Sequence, residues 1–177
     1  MLQIIKSYLK FLYNSKNEHG VHSPFVFDLV TKCFYDKTKY PEYSILKNYR
    51  KSLLENKNII EVTDFGAGSR VFKSNKRQIS KIAKTAGISP KRAELLFRIT
   101  KYFQPENILE IGTSLGLATS ALSLGNTNAK ITTLEGCPNT LTVAKNLFQV
   151  SGFKLKNIEF INTEFSSHFK TIHPSPI

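Results

Sequence analysis

The stretch from Asn107 to Glu135 limits what this chain can fold into more than any other. It opens with a short apolar run, Ile108, Leu109 and Ile111, and then bends through Gly112-Thr113-Ser114-Leu115-Gly116. Small residues at helical length follow from Leu117 to Leu124, closed by Gly125. A β-branched run from Ile131 to Leu134 ends on Glu135. Strand, tight turn, helix and strand in that order predict a βαβ unit with parallel strands and a right-handed crossover. The expected class is α/β, a Rossmann-like three-layer arrangement around a parallel sheet.

Each part of the unit has a chemical reason. Gly112 and Gly116 carry no Cβ, so the chain can turn sharply and a ligand can approach the main chain. N–H groups opening the next helix can hold a carboxylate. An acid ending the second strand, Glu135, can accept both hydroxyls of a ribose. Glu110, just before the turn, would repel a pyrophosphate but suits a cation. The ligand so described has a ribose, a carboxylate and a positive charge, which fits S-adenosylmethionine.

At this point a resemblance becomes specific. Glu110-Ile111-Gly112-Thr113-Ser114-Leu115-Gly116, followed by Thr133-Leu134-Glu135-Gly136, resembles class I S-adenosylmethionine-dependent methyltransferases. Within them it is most similar to small-molecule O-methyltransferases, whose first motif often reads E-I-G-T-x-x-G. The similarity runs from about Lys91 to Phe165. It implies methyl transfer to a small hydroxylated acceptor, with the cofactor held by Glu110, Gly112, Thr113, Ser114, Gly116 and Glu135. It also places Glu164, after the third strand, near the adenine. It leaves dependence on a divalent metal open and identifies no catalytic residue.

The resemblance also exposes a gap. The family's sheet has seven strands in the order 3-2-1-4-5-7-6, and only strands 1 to 3 can be placed here. Two explanations compete: C-terminal truncation of a longer product, or a shortened sheet in which Ile59 to Phe65 takes the vacant edge. On the first, the chain alone is expected to be poorly stable or inactive.

Other chemistries fit less well. Gly112-Thr113-Ser114-Leu115-Gly116 is also G-x-S-x-G, the elbow of a serine hydrolase with Ser114 as nucleophile. An acid and then a histidine should follow well downstream, and only Glu135, Glu159, Glu164, His168 and His173 are there to serve. Ser114 replaces the middle glycine of a dinucleotide motif. His19 and His22 form His-x-x-His, but Glu18 is a poor third ligand, so no metal is expected. Cys33 and Cys137 lack metal spacing and read as free thiols, with a cytoplasmic location as the default.

The formal net charge is +12, and the excess precedes the βαβ unit. Arg70 to Lys101 holds ten basic residues against the single acid Glu94. This segment reads as a solvated face, or as a footprint for RNA or an acidic substrate. A basic RNA-binding module, or an RNA methyltransferase, is therefore the alternative function.

Helices are expected over residues 2–14, from Pro24 to about Tyr35, and over 41–55, 76–86, 90–103 and 138 to about 151. The first is basic and amphipathic; such a helix can lie on a membrane, but packing on the domain is its expected use. Strands are expected over 58–65 and 157–162. The rival turn Asp64-Phe65-Gly66-Ala67-Gly68-Ser69 is read as a plain turn or a lip over the substrate side. Residues 1–57 form a helical extension and 58–177 the cofactor domain. No run approaches the roughly 18 apolar residues of a membrane span, and the oligomeric state stays open.

Overall fold

A computed structural model describes residues 2–165 apart from 16, 17, 21, 66, 67, 70 and 154. The chain divides into two compact units, residues 1–37 and 38–177. The first holds α1 (Leu2–Asn14), a short 3-10 turn at Glu18–Gly20, and α2 (Pro24–Asp28). α2 runs on into a wide π-type turn over Leu29–Phe34. Ser23 caps α2, its hydroxyl accepting from the Val26 N–H at 3.4 Å, and Pro24 takes the first helical position, where a missing N–H costs nothing.

The second unit begins at Thr38, ahead of the boundary expected at 57/58. Helix α3 (Glu42–Glu55) explains the difference. Its buried side chains Tyr49 and Leu53 share a core with Ile79, Ile82, Leu117 and Phe148 from the rest of the unit. The Tyr49 hydroxyl donates to the Leu115 carbonyl at 2.9 Å. Burial drives that phenol far above its ordinary pKa, so it remains a neutral donor.

The strand expected over 58–65 is shorter and pairs elsewhere. β1 (Ile59–Glu61) lies antiparallel to β2 (Lys76–Gln78) in a separate two-stranded sheet, with Ile60 opposite Arg77. The vacant-edge placement is therefore overturned. The helix expected from Lys76 starts only at Ile79, because residues 76–78 are extended against β1. α4 (Ile79–Thr85) and α5 (Pro90–Phe103) follow. α5 ends at Gln104, in the left-handed region at φ 45°, where the following Pro105 disfavours another helical residue.

The main sheet is parallel and runs β3 (Asn107–Ile111), β4 (Lys130–Glu135), β5 (Ile158–Asn162), in that order. Ile108 faces Ile131, which faces Ile158. These three lie on the side of Leu122, from α6 (Leu117–Gly125). Phe160 meets Phe148, from α7 (Pro138–Val150), on that same side. Of a three-layer arrangement, the described residues thus supply the sheet and the helices of one face. On the other face, Leu109 and Ile111 are about half exposed, 51% and 52%.

α6 is almost wholly buried because its residues are small. A Cβ on Gly125 would lie 2.7 Å from the Phe97 carbonyl oxygen of α5. Backbone cannot yield as a side-chain tip can. Gly125→Ala is therefore expected to cost about 1–3 kcal/mol through overpacking. Urea unfolding should show this as a lower midpoint with an unchanged slope.

Candidate functional site

The bend after β3 is built by backbone geometry that its sequence permits. Gly112 and Gly116 have φ of 96° and 77°, and Ser114 has φ 48°. The N–H groups of Gly112 and Thr113 both donate to the Leu134 carbonyl, at 2.8 and 3.0 Å. The Ser114 N–H donates to Glu135 Oε2 at 2.7 Å, and the Cys137 N–H donates to Glu135 Oε1 at 2.9 Å. The turn after one strand is thereby tied to the acid ending the next.

The two glycines do different work. A Cβ on Gly112 would meet nothing nearer than Phe165 at 4.0 Å, so the main chain is open there. A Cβ on Gly116 would strike the Phe148 ring and the Tyr49 hydroxyl, both at 2.7 Å. Gly116 therefore makes room for the core rather than for a ligand.

Glu110 lies beneath the turn. Its Oε2 accepts from the hydroxyls of Thr119 and Thr133, each at 2.6 Å. Thr133 has one hydroxyl hydrogen, spent on Glu110, so Thr113 donates to Thr133 across 2.6 Å. Glu110 Oε1 is buried and has no hydrogen-bond partner. Burial raises the Glu110 carboxyl above its ordinary 4.5; the two threonine hydroxyls oppose the rise and the nearby Glu135 adds to it.

Two adjoining hollows open where the parallel strands end. One, about 210 Å³, is lined by Ser114, Glu135, Thr140, Ala86 and Phe72, with Arg77 on its wall. The other, about 510 Å³, is lined by Glu135, Gly136, Glu164 and Phe165, with Phe65 and again Arg77. Glu135 borders both. The end of β5 is fastened beside it: the Asn162 amide donates to the carbonyls of Glu135 and Gly136, at 2.8 and 3.0 Å. Of the residues expected in the site, Ser114, Glu135 and Glu164 line these hollows. Glu110, Gly112, Thr113 and Gly116, also expected there, line neither hollow.

Sequence reasoning missed how the segment after β1 is held. The segment after β1 crosses the start of α7, where the Asn139 amide donates to the Glu61 carbonyl at 2.7 Å and the Thr63 N–H approaches Cys137 Sγ at 3.3 Å. Arg77 holds the Asp64 carboxylate at 3.1 Å and lies over the Phe72 ring at 5.0 Å. Asp64 and Phe65, from the turn read as a plain turn or a lip, line the larger hollow; its Gly66 and Ala67 lie outside the described residues. In sequence, Arg77 looked like any other member of the basic cluster. Its partner lies across the hairpin, which no local pattern reveals.

No histidine lines either hollow among the described residues. His168 and His173, weighed above as the histidine of a hydrolase, lie outside the described residues. The described residues hold no cluster of three or more His, Cys, Asp or Glu able to bind a metal. No helix among them is long and apolar enough to cross a membrane.

The fold is that of class I methyltransferases. The chain is similar to the SAH-bound Podospora anserina methyltransferase PaMTH1, where SAH is S-adenosylhomocysteine. The TM-score is 0.56 at 17% identity, over 89% of this chain and 56% of that one. It is also similar to the O-methyltransferase from Bacillus cereus in complex with SAH, with a TM-score of 0.47 at 16% identity, over 84% and 58%. The chain thus spans a little over half the length of these solved chains. No protein-family model matches it, and no curated protein does.

The raised Glu110 carboxyl has a consequence for stability. Between its ordinary 4.5 and its folded value, the folded state holds more protons than the unfolded one. Stability therefore falls as pH rises from about 4.5 through the folded value. Glu110→Gln should remove that part of the slope. Urea unfolding at several pH values between about 4 and 8 measures it, and an unaltered slope would show that Glu110 ionises normally.

Proposed function

We propose that this chain is the cofactor-binding part of an S-adenosylmethionine-dependent methyltransferase that methylates a hydroxyl of a small acceptor. One observation carries the reading: Ser114, in the turn after β3, and Glu135, ending β4, meet in one hollow and are joined by a hydrogen bond. The likeness to PaMTH1 supports the fold on which that site sits. The choice of a small hydroxylated acceptor rests on the E-I-G-T-x-x-G motif.

The residues fit the cofactor. An ionised carboxylate offers about four lone-pair sites. Two on Glu135 are taken by backbone N–H groups, which leaves two for the vicinal hydroxyls of a ribose. The larger hollow, about 510 Å³, falls within the roughly 300–1,000 Å³ of small-molecule sites. Its aromatic residues Phe65 and Phe165 suit an adenine, with Glu164 to accept from the exocyclic amine. The methionyl end then lies toward Ser114 in the smaller hollow.

When bound, the cofactor supplies an electrophilic methyl group on a sulfonium. The chain's own part is to hold that group and keep water away, and positioning dominates such displacements. Glu135 fixes the sugar and is itself fixed by two main-chain donors. The hairpin segment under Arg77 roofs the pocket. Glu110, through Thr133 and Thr113, braces the turn that carries the Ser114 N–H.

Calorimetric titration with S-adenosylhomocysteine tests the proposal. The chain should bind, and Glu135→Ala should weaken binding by about 1–3 kcal/mol, the cost of leaving hydroxyls unpaired. Glu135→Gln, which keeps the shape and one acceptor, should lose less. Absence of binding by the folded chain, or an unchanged affinity in both variants, would refute this site.

A further inference from the structure

We propose that α1 is a membrane-surface helix that rests on anionic lipid. Every described side chain of α1 is exposed. Ile4 is 74% exposed, Phe11 65%, and Tyr8 and Leu9 59% each. Four such side chains on one 13-residue helix call for an apolar partner.

The distribution around the helix says which kind. At about 100° per residue, Ile4, Ile5, Tyr8, Leu9, Phe11 and Leu12 sweep a continuous apolar sector that reaches roughly 200° with Tyr13 at its margin. A helix docked on a protein core needs a stripe of only about 100° or somewhat more. A bilayer surface wraps a broader sector, because acyl chains close around whatever is submerged.

The remaining sector, about 100° wide, holds Gln3, Lys6, Ser7, Lys10 and Asn14. Lys6 and Lys10 are its only charges, and the helix contains no acid. Lysines on that sector meet the phosphates of an anionic leaflet while their stems follow the apolar surface. Tyr13, at the margin of the apolar sector, is an amphipathic ring of the kind that settles at the headgroup level. The helix is about 20 Å long, too short for the roughly 30 Å of a hydrocarbon core, so it lies in the surface rather than across it. This inference is independent of the methyltransferase reading.

The full chain contains no tryptophan, so Phe11→Trp installs a single indole reporter in the apolar sector. Mixed with phosphatidylglycerol–phosphatidylcholine vesicles, the indole emission should shift to the blue and be quenched by brominated acyl chains. Pure phosphatidylcholine should give a much weaker response. In that reporter background, replacing both Lys6 and Lys10 by Gln should weaken partitioning about 25-fold, some five-fold per lysine. Ile5→Asn with Leu9→Asn should abolish quenching with the charges intact.

Three results would overturn the proposal. Vesicles could fail to bind. They could bind without quenching the indole, which would assign the contact to other basic residues such as 70–101. Alternatively, self-association without lipid, removed by the Ile5 and Leu9 changes, would make a second copy of this chain the partner.

Discussion

The carboxylate of Glu135, bridging the Ser114 and Cys137 N–H groups, is the contact on which the candidate site depends. One side chain joins three things that the chain builds separately: the bend after β3, the end of β4 and the start of α7. Charged acceptors on backbone donors are worth about twice a neutral pair. Both donors belong to turns that no regular ladder would satisfy. The acid that would hold a ribose therefore also sets the shape of the pocket into which the ribose would fit.

That dual role explains why so much was legible in the sequence. Strand ends, glycine bends and the small-residue helix are local, and the βαβ unit follows from them. β3, α6, β4, α7 and β5 all stand within a residue or two of where periodicity put them. The hairpin β1–β2 was not legible, because Lys76-Arg77-Gln78 has no strand signature and is extended only through pairing with Ile59–Glu61. Nor was the start of the second unit. α3 looks like a helix from any extension until Tyr49 is seen with its hydroxyl on the Leu115 carbonyl.

The candidate site divides along the same line. Ser114 and Glu135 could be picked out because their spacing follows from the topology. The role of Gly116 could not, since its missing Cβ is matched to Phe148 and Tyr49, contacts that exist only after folding. Arg77 is the stronger case. Ten basic residues between Arg70 and Lys101 suggested a surface charge field, but two of them are committed inside the fold. Arg77 pairs with Asp64, and Arg98 donates to the Tyr43 hydroxyl at 3.0 Å. A charge count therefore overstates what this segment can offer to a polyanion.

The sheet itself shows where the stability resides. Parallel strands are usually buried on both faces and read as continuous apolar runs, and Ile108-Leu109-Glu110-Ile111 has that composition apart from its one acid. Ile108 packs under α6, and Glu110 is tied to Thr119 of the same helix. Leu109 and Ile111 point the other way and remain about half exposed. Full burial of such a side chain is worth about 1.5–3 kcal/mol, so each forfeits on the order of 1 kcal/mol. They also sit on β3, whose outer edge has no partner strand among the described residues. An apolar face beside an open edge invites association. The fold therefore rests on the α6–α7 side of the sheet, the same side from which Glu110 supports the turn after β3.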